Sequence, residues 1–214
     1  MGRRPRLQSA DVHYHVIVRC NNQAFRFETH EDFSIYLKTL ALVQRKHRFK
    51  LFNYELMNTH VHLFLQPSQE LPLARTMQLI NWKYAKSFNQ RKNRKGHFWL
   101  ARYQNIPVQS GRYALALMRY INRNPVRARM VEKPGQWTWS GYPALALGKH
   151  DALITEHPIY LVLGSNPKER QRKYEDYVNR MKEKRDKRNP KFSEEAYIGS
   201  ENFGMRLMKQ SKNL

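Results

Sequence analysis

Residues Phe49–Gln66 read FKLFNYELMNTHVHLFLQ, two strand-like runs, Phe49–Met57 and His60–Gln66, meeting at Asn58-Thr59. Aromatic and aliphatic residues fill both runs and a polar pair separates them, which predicts a β-hairpin. Upstream, Glu31–His47 places Phe33, Tyr36, Leu37, Leu40, Ala41, Val43 and Gln44 on one helical stripe. Before that helix, His13–Cys20 (HYHVIVRC) is short, β-branched and closed by Asn21-Asn22, the signature of a strand. Downstream, Pro72 opens a second helix running through Met77, Leu79, Ile80, Trp82, Tyr84 and Phe88. A basic loop, Gln90–His97, leads to an extended segment, Tyr103–Gln109, and Gly111 begins a third helix through Leu115, Leu117, Met118 and Ile121. The order β-α-β-β-α-β-α predicts an α+β fold: a ferredoxin-like antiparallel sheet of four to five strands with helices packed on it.

The 214 residues fit one domain with an appendage. Lys and Arg number 39 against 17 Asp and Glu, a formal charge of +22. Such self-repulsion points to a polyanionic partner. A hydrophobic content of 41% supports a core, and the single Cys20 excludes a disulfide framework or a Cys-rich zinc site. No apolar run nears the ~20 residues of a membrane span, and the basic N-terminus lacks the apolar stretch of a signal peptide. The expectation is a cytoplasmic, bacterial, nucleoid-associated protein that handles nucleic acid. Composition changes near residue 165. The reading is therefore a domain over 1–165 and a basic extension over 166–214, helical at 168–188 where Tyr174, Tyr177, Val178 and Met181 recur at helical spacing. Asn189-Pro190 breaks that helix, and the chain beyond it is compatible with a short helix around Glu201–Met208.

On a strand, His60 and His62 share a face, so two imidazoles can chelate one divalent cation. Spacing alone gives the same property to His13 and His15, and either pair can equally be incidental polar residues. Tyr120 sits on the third helix among apolar and basic residues and reads either as half-buried core or as a nucleophile. Asn124 follows one turn later on the same face, yet Asn124-Pro125 also has the form of an N-cap opening a new helix, Pro125–Val131.

The segments YHVIVRCNN, MNTHVHLFLQP, GHFWLARYQNIPVQS, ALALMRYINRNPVRARMV and WTWSGYPALALG, in this order, resemble the REP-associated tyrosine transposases, part of the single-tyrosine group of HUH nucleases. The likeness covers residues 3–165. It implies that His60 and His62 bind Mg²⁺ or Mn²⁺, that Tyr120 is the nucleophile and that Asn124 occupies a third-ligand position, with His13 and His15 left as strand structure. It also implies cleavage and rejoining of single-stranded DNA beside palindromic, REP-like hairpins through a covalent 5′-phosphotyrosine. No GxxxxGK[ST] loop is present in the sequence, consistent with strand transfer that needs no nucleotide cofactor. Related transposases are dimers that share helices; the C-terminal extension favours a monomer instead.

Expected DNA contacts are the N-terminal Arg3, Arg4 and Arg6, the loop residues Arg91, Lys92, Arg94 and Lys95, and Arg119, Arg123 and Arg127 around the tyrosine helix. Trp99, Trp137 and Trp139 read as packing residues. The rival to the enzyme is a non-catalytic protein that binds hairpin DNA or structured RNA.

Overall fold

A computed structural model describes residues 9–180 and 189–212. Its centre is an antiparallel sheet of four strands: β1 (His13–Arg19), β2 (Lys50–Leu56), β3 (His60–Gln66) and β4 (Gln104–Val108), in the order β2-β3-β1-β4. Helices α1 (His30–His47) and α2 (Leu73–Arg91) are the crossovers that make this order possible.

The strand period of two divides the side chains between two cores. Tyr14, Val16 and Val18 of β1 and Val61, Leu63 and Leu65 of β3 pack with Phe33, Tyr36 and Leu40 of α1 and Met77, Ile80 and Tyr84 of α2. On the other face, Phe52, Phe64, Ile106 and Val108 meet Leu117, Met118 and Ile121 of α3 (Arg112–Asn122). An irregularity in the β2–β3 register between Leu51 and Asn53 lets both Phe52 and Asn53 serve this second face.

Local chemistry fixes the helix ends. Thr29 and Asp32 form a capping box at the start of α1, and Arg48, in the left-handed region at φ 52°, closes it by donating its N–H to the Gln44 carbonyl. The buried Asp32 also accepts from Arg91 at 3.0 Å, tying the start of α1 to the end of α2.

After α3 come short elements α4 (Asn124–Arg127), α5 (Tyr142–Leu147) and α6 (Pro158–Leu161), then α7 (Pro167–Asn179). The new helix expected over Pro125–Val131 lasts one turn, because Arg129 adopts φ 56° and the Met130 N–H returns to the Pro125 carbonyl. The expected helix at 168–188 is observed as α7, which ends at Asn179; residues 181–188 lie outside the described residues. Arg119 donates to the carbonyls of Tyr177 and Arg180, and Arg123 to that of Val178, so α3 satisfies the chain end of α7. Tyr174 and Val178 are wholly buried in the second core. The change of composition at residue 165 is therefore a change of surface within a continuous core. Beyond it, Ile198 bridges to Val108 along the edge of β4, and α8 (Glu201–Lys212) follows. No helix among the described residues is long and apolar enough to cross a membrane.

Candidate active site

The second sheet face carries more than apolar residues. His60 and His62 of β3 and His15 of β1 stand on it, as alternation requires, and α3 lays Tyr120 against them. The Tyr120 ring lies edge-on to both His15 and His62, with centroids 6.2 Å apart in each case. His60 and His62 rings are 4.9 Å apart and nearly perpendicular, and the His60 Nδ1 meets the Thr59 hydroxyl at 2.9 Å. His15 and His62 stack at 5.1 Å and share a hydrogen bond, Nε2 to Nδ1, of 2.9 Å. The other ring nitrogen of His15 meets the Phe192 carbonyl at 2.8 Å.

Burial dominates the electrostatics. It lowers His15 to about 3, and it holds His62 well below the ordinary histidine range, aided by neighbouring His60, His15, Arg127 and Arg19. Both rings are thus neutral at pH 7, the state in which imidazole ligates a metal. The Nε2 of His62 is buried and has no hydrogen-bond partner. Among the described residues no three His, Cys, Asp or Glu side chains form a metal-holding group. The site therefore fits an ion held by the His60–His62 pair and completed by oxygen ligands from water or substrate, but not a closed protein cage.

Behind the histidines runs a buried polar network. Glu55 is the register partner of His62 on β2 and is fully buried. One of its oxygens accepts from the Asn122 amide at 3.3 Å, while the other has no partner. Burial raises its carboxyl well above the ordinary range, opposed by the Asn122 hydrogen bond and the Arg127 charge. Asn122 in turn accepts from the Tyr174 hydroxyl at 2.7 Å and pairs with Asn53. The network locks the tyrosine helix to β2 and α7, fixing the rotation that aims Tyr120 at the sheet.

Tyr120 is covered. The Phe192 ring stacks on it at 4.7 Å, the Arg127 guanidinium lies 4.2 Å from the centre of its ring, and the residue is 7% exposed. Asn124 is engaged at both ends: its amide donates to the Tyr120 and Ile121 carbonyls at 3.2 and 3.1 Å, and its Oδ1 accepts from Arg127 at 2.8 Å. Its side chain thus caps the end of α3 and makes no N-cap bond for α4, whose cap position is Arg123.

The other sequence-derived residues scatter. Arg91 is paired with Glu31 and Asp32, Lys92 reaches Asp32 at 3.8 Å, and Arg94 binds Asn89. Lys95 is exposed, whereas Arg119 and Arg123 bind the carbonyls of α7 and its end. Arg3, Arg4 and Arg6 lie outside the described residues. Trp99 donates to the Asn81 carbonyl, Trp137 to that of Leu56, and Trp139 stacks on Phe33, all packed on the first core. Sequence reasoning set His15 aside as strand structure and did not single out Glu55, Asn122 or Phe192. A carboxylate inside the apolar run LFNYELM was the available signal for Glu55.

Comparison with known proteins agrees with this architecture. A solved REP-associated tyrosine transposase bound to a REP hairpin matches with a TM-score of 0.59 and 14% identity, covering 74% of this chain and 93% of that one; the likeness is one of fold. A putative transposase from Deinococcus radiodurans R1 matches with a TM-score of 0.40 and 15% identity, over 58% of this chain and 95% of that one. No curated protein matches the sequence. The model of the IS200-like transposases matches residues 8–124, more than half of the chain, and the chain belongs to that family.

Proposed function

We propose that this transposase cleaves and rejoins single-stranded DNA beside a palindromic hairpin, with Tyr120 as nucleophile and Mg²⁺ or Mn²⁺ held by His60 and His62. The observation that carries the reading is the edge-on approach of the Tyr120 ring to His62 at 6.2 Å. When bound, the ion supplies charge stabilisation for the phosphodiester. Tyr120 Oη forms a bond to phosphorus as the bond from phosphorus to the 3′ oxygen breaks, and the phenolic proton ends on that oxygen. The DNA is left attached through a 5′-phosphotyrosine. The reverse attack by a 3′-hydroxyl restores the strand. Tyrosine suits this reversal because phenolate leaves far more readily than an alkoxide. Arg127 over the ring favours the developing phenolate. Arg3, Arg4, Arg6 and the loop around Lys95 contact the DNA backbone in this reading. Ile198 and its neighbours lie along the β4 edge and Phe192 lies against α3, which supports a monomer.

The low exposure of Tyr120 under Phe192 favours a second reading, a hairpin-binding protein whose site does no chemistry. Incubating the protein with a palindromic single strand and Mn²⁺ or Mg²⁺ separates the two. An SDS-resistant protein–DNA adduct, absent in Tyr120→Phe with DNA affinity kept, is expected. Tight binding with no adduct in either metal would establish the second reading, and an adduct in Tyr120→Phe would remove Tyr120 as nucleophile.

A further inference from the structure

His15 lies outside the pair of residues proposed to hold the ion, yet its two ring nitrogens are both committed. Its Nδ1 lies 2.8 Å from the Phe192 carbonyl oxygen, an acceptor only, so Nδ1 carries a proton. Its Nε2 lies 2.9 Å from the Nδ1 of His62, and two nitrogens at that distance hold one proton between them. Both rings are buried, where an uncharged imidazole is favoured over an imidazolium, and an uncharged His15 has a single proton, already on Nδ1. The shared proton then belongs to His62 Nδ1. An independent feature agrees: His62 Nε2 has no partner, and an N–H there would be a buried donor without an acceptor.

We infer that His15 is a positioning residue for the metal: its Nδ1–H donates a hydrogen bond to the Phe192 carbonyl, its Nε2 accepts a hydrogen bond from the Nδ1–H of His62, and His62 is thereby held in the tautomer whose Nε2 lone pair is bare for a divalent cation. The inference rests on the reading that His60 and His62 hold the ion. A metal-ligating histidine is commonly oriented by a partner on its other nitrogen, and here that partner is another imidazole, itself oriented by the C-terminal segment. The backbone at Phe192 thus sets the proton placement at a site on the central strands.

The test uses the full chain with ¹⁵N-labelled histidine. Long-range ¹H–¹⁵N spectra of the metal-free wild type should show both His15 and His62 protonated on Nδ1; a proton on His62 Nε2 overturns the inference whether or not any variant folds. His15→Phe removes the acceptor and should weaken Mn²⁺ binding, measured with the ion alone, by about ten- to a hundredfold. His15→Gln, which restores an acceptor, should recover most of that affinity with the His62 proton back on Nδ1. Wild-type Mn²⁺ affinity and an unchanged His62 tautomer in folded His15→Phe would also overturn the inference. Equal Mn²⁺ binding by the wild type and His60→Ala would instead overturn the metal assignment it rests on, a failure the metal-free spectrum distinguishes from that of the tautomer lock.

Discussion

Replacing Asn124 by alanine tests what this side chain does beside the tyrosine. Its amide holds the carbonyls of Tyr120 and Ile121, and its oxygen holds Arg127. Each partly buried hydrogen bond contributes about 0.5–1.5 kcal/mol net. Losing the two bonds to the end of α3, with water replacing part of them, therefore costs about 2 kcal/mol. In a chain of this length each kcal/mol moves Tm by about 2–4 °C, so the variant should melt roughly 4–8 °C lower. Arg127 loses one acceptor but keeps the Tyr120 carbonyl and remains near the ring. If Asn124 is a cap alone, Mn²⁺ affinity of the folded protein, measured well below the melting range, stays within about twofold of wild type, since its side chain then bonds the Tyr120 and Ile121 carbonyls and Arg127 and neither of the histidines proposed to hold the ion. Circular dichroism melts and Mn²⁺ titration on the same preparation give both values. An unchanged Tm with a tenfold or greater loss of Mn²⁺ affinity would refute the capping argument and make Asn124 a ligand.

Three other outcomes follow from the geometry. Phe192→Ala removes the ring stacked on Tyr120 but keeps the carbonyl that orients His15, so the initial rate of adduct formation should rise several-fold with the His15 proton still on Nδ1; a slower rate would show that the ring positions Tyr120. For Asp32, burial pushes its carboxyl up, but hydrogen bonds from the Thr29 backbone, Arg91, the Thr29 hydroxyl and the Glu28 backbone outweigh it and hold the group below its ordinary value. A depressed folded value means the stabilisation is present above the unfolded pKa and is lost as pH falls through the folded one. Asp32→Asn should thus lose about 1–3 kcal/mol at pH 7, from hydrogen bonds to a charged group, with the deficit closing in acid; a deficit constant with pH would assign the loss to packing. Tyr174→Phe removes the buried hydroxyl on Asn122 and should cost about 1–2 kcal/mol in denaturant melts, and no change would show that Asn122 is satisfied without it.

The fold was legible where periodicity is strong. The hairpin, both crossover helices and the tyrosine helix follow from runs whose apolar spacing is two or about 3.6. The face shared by His60 and His62 follows from alternation alone. What alternation does not contain is which strands are neighbours. His15 reaches His62 because β1 lies beside β3 with Ile17 opposite His62, which brings residue 15 diagonally onto the same ring. Register of that kind is set by the whole sheet. Phe192 was harder still: it sits in a single turn, Pro190–Phe192, in a segment without periodicity, and long-range contacts, among them the pairing of Ile198 with the β4 edge and the Gln104 amide on the Ser193 carbonyl, bring that stretch back over α3.

Charge alone does not separate the cations the fold uses from those left for a partner. Arg91 is an expected DNA contact as part of the basic loop, and Arg119, Arg123 and Arg127 as cations around the proposed nucleophile, where Arg119 and Arg123 suggest phosphate clamps. In the fold each has a structural role: Arg91 neutralises Asp32, Arg119 and Arg123 satisfy carbonyls at the end of α7, and Arg127 binds the Tyr120 carbonyl and ring. A guanidinium already committed to buried acceptors gives up those bonds to reach a phosphate, and the acceptors left behind are then unsatisfied. Uncommitted surface cations such as Lys95 carry no such penalty. A net charge of +22 therefore sets the sign of the partner, while the number of counterions released on binding depends on the smaller set of cations that the fold has not already used.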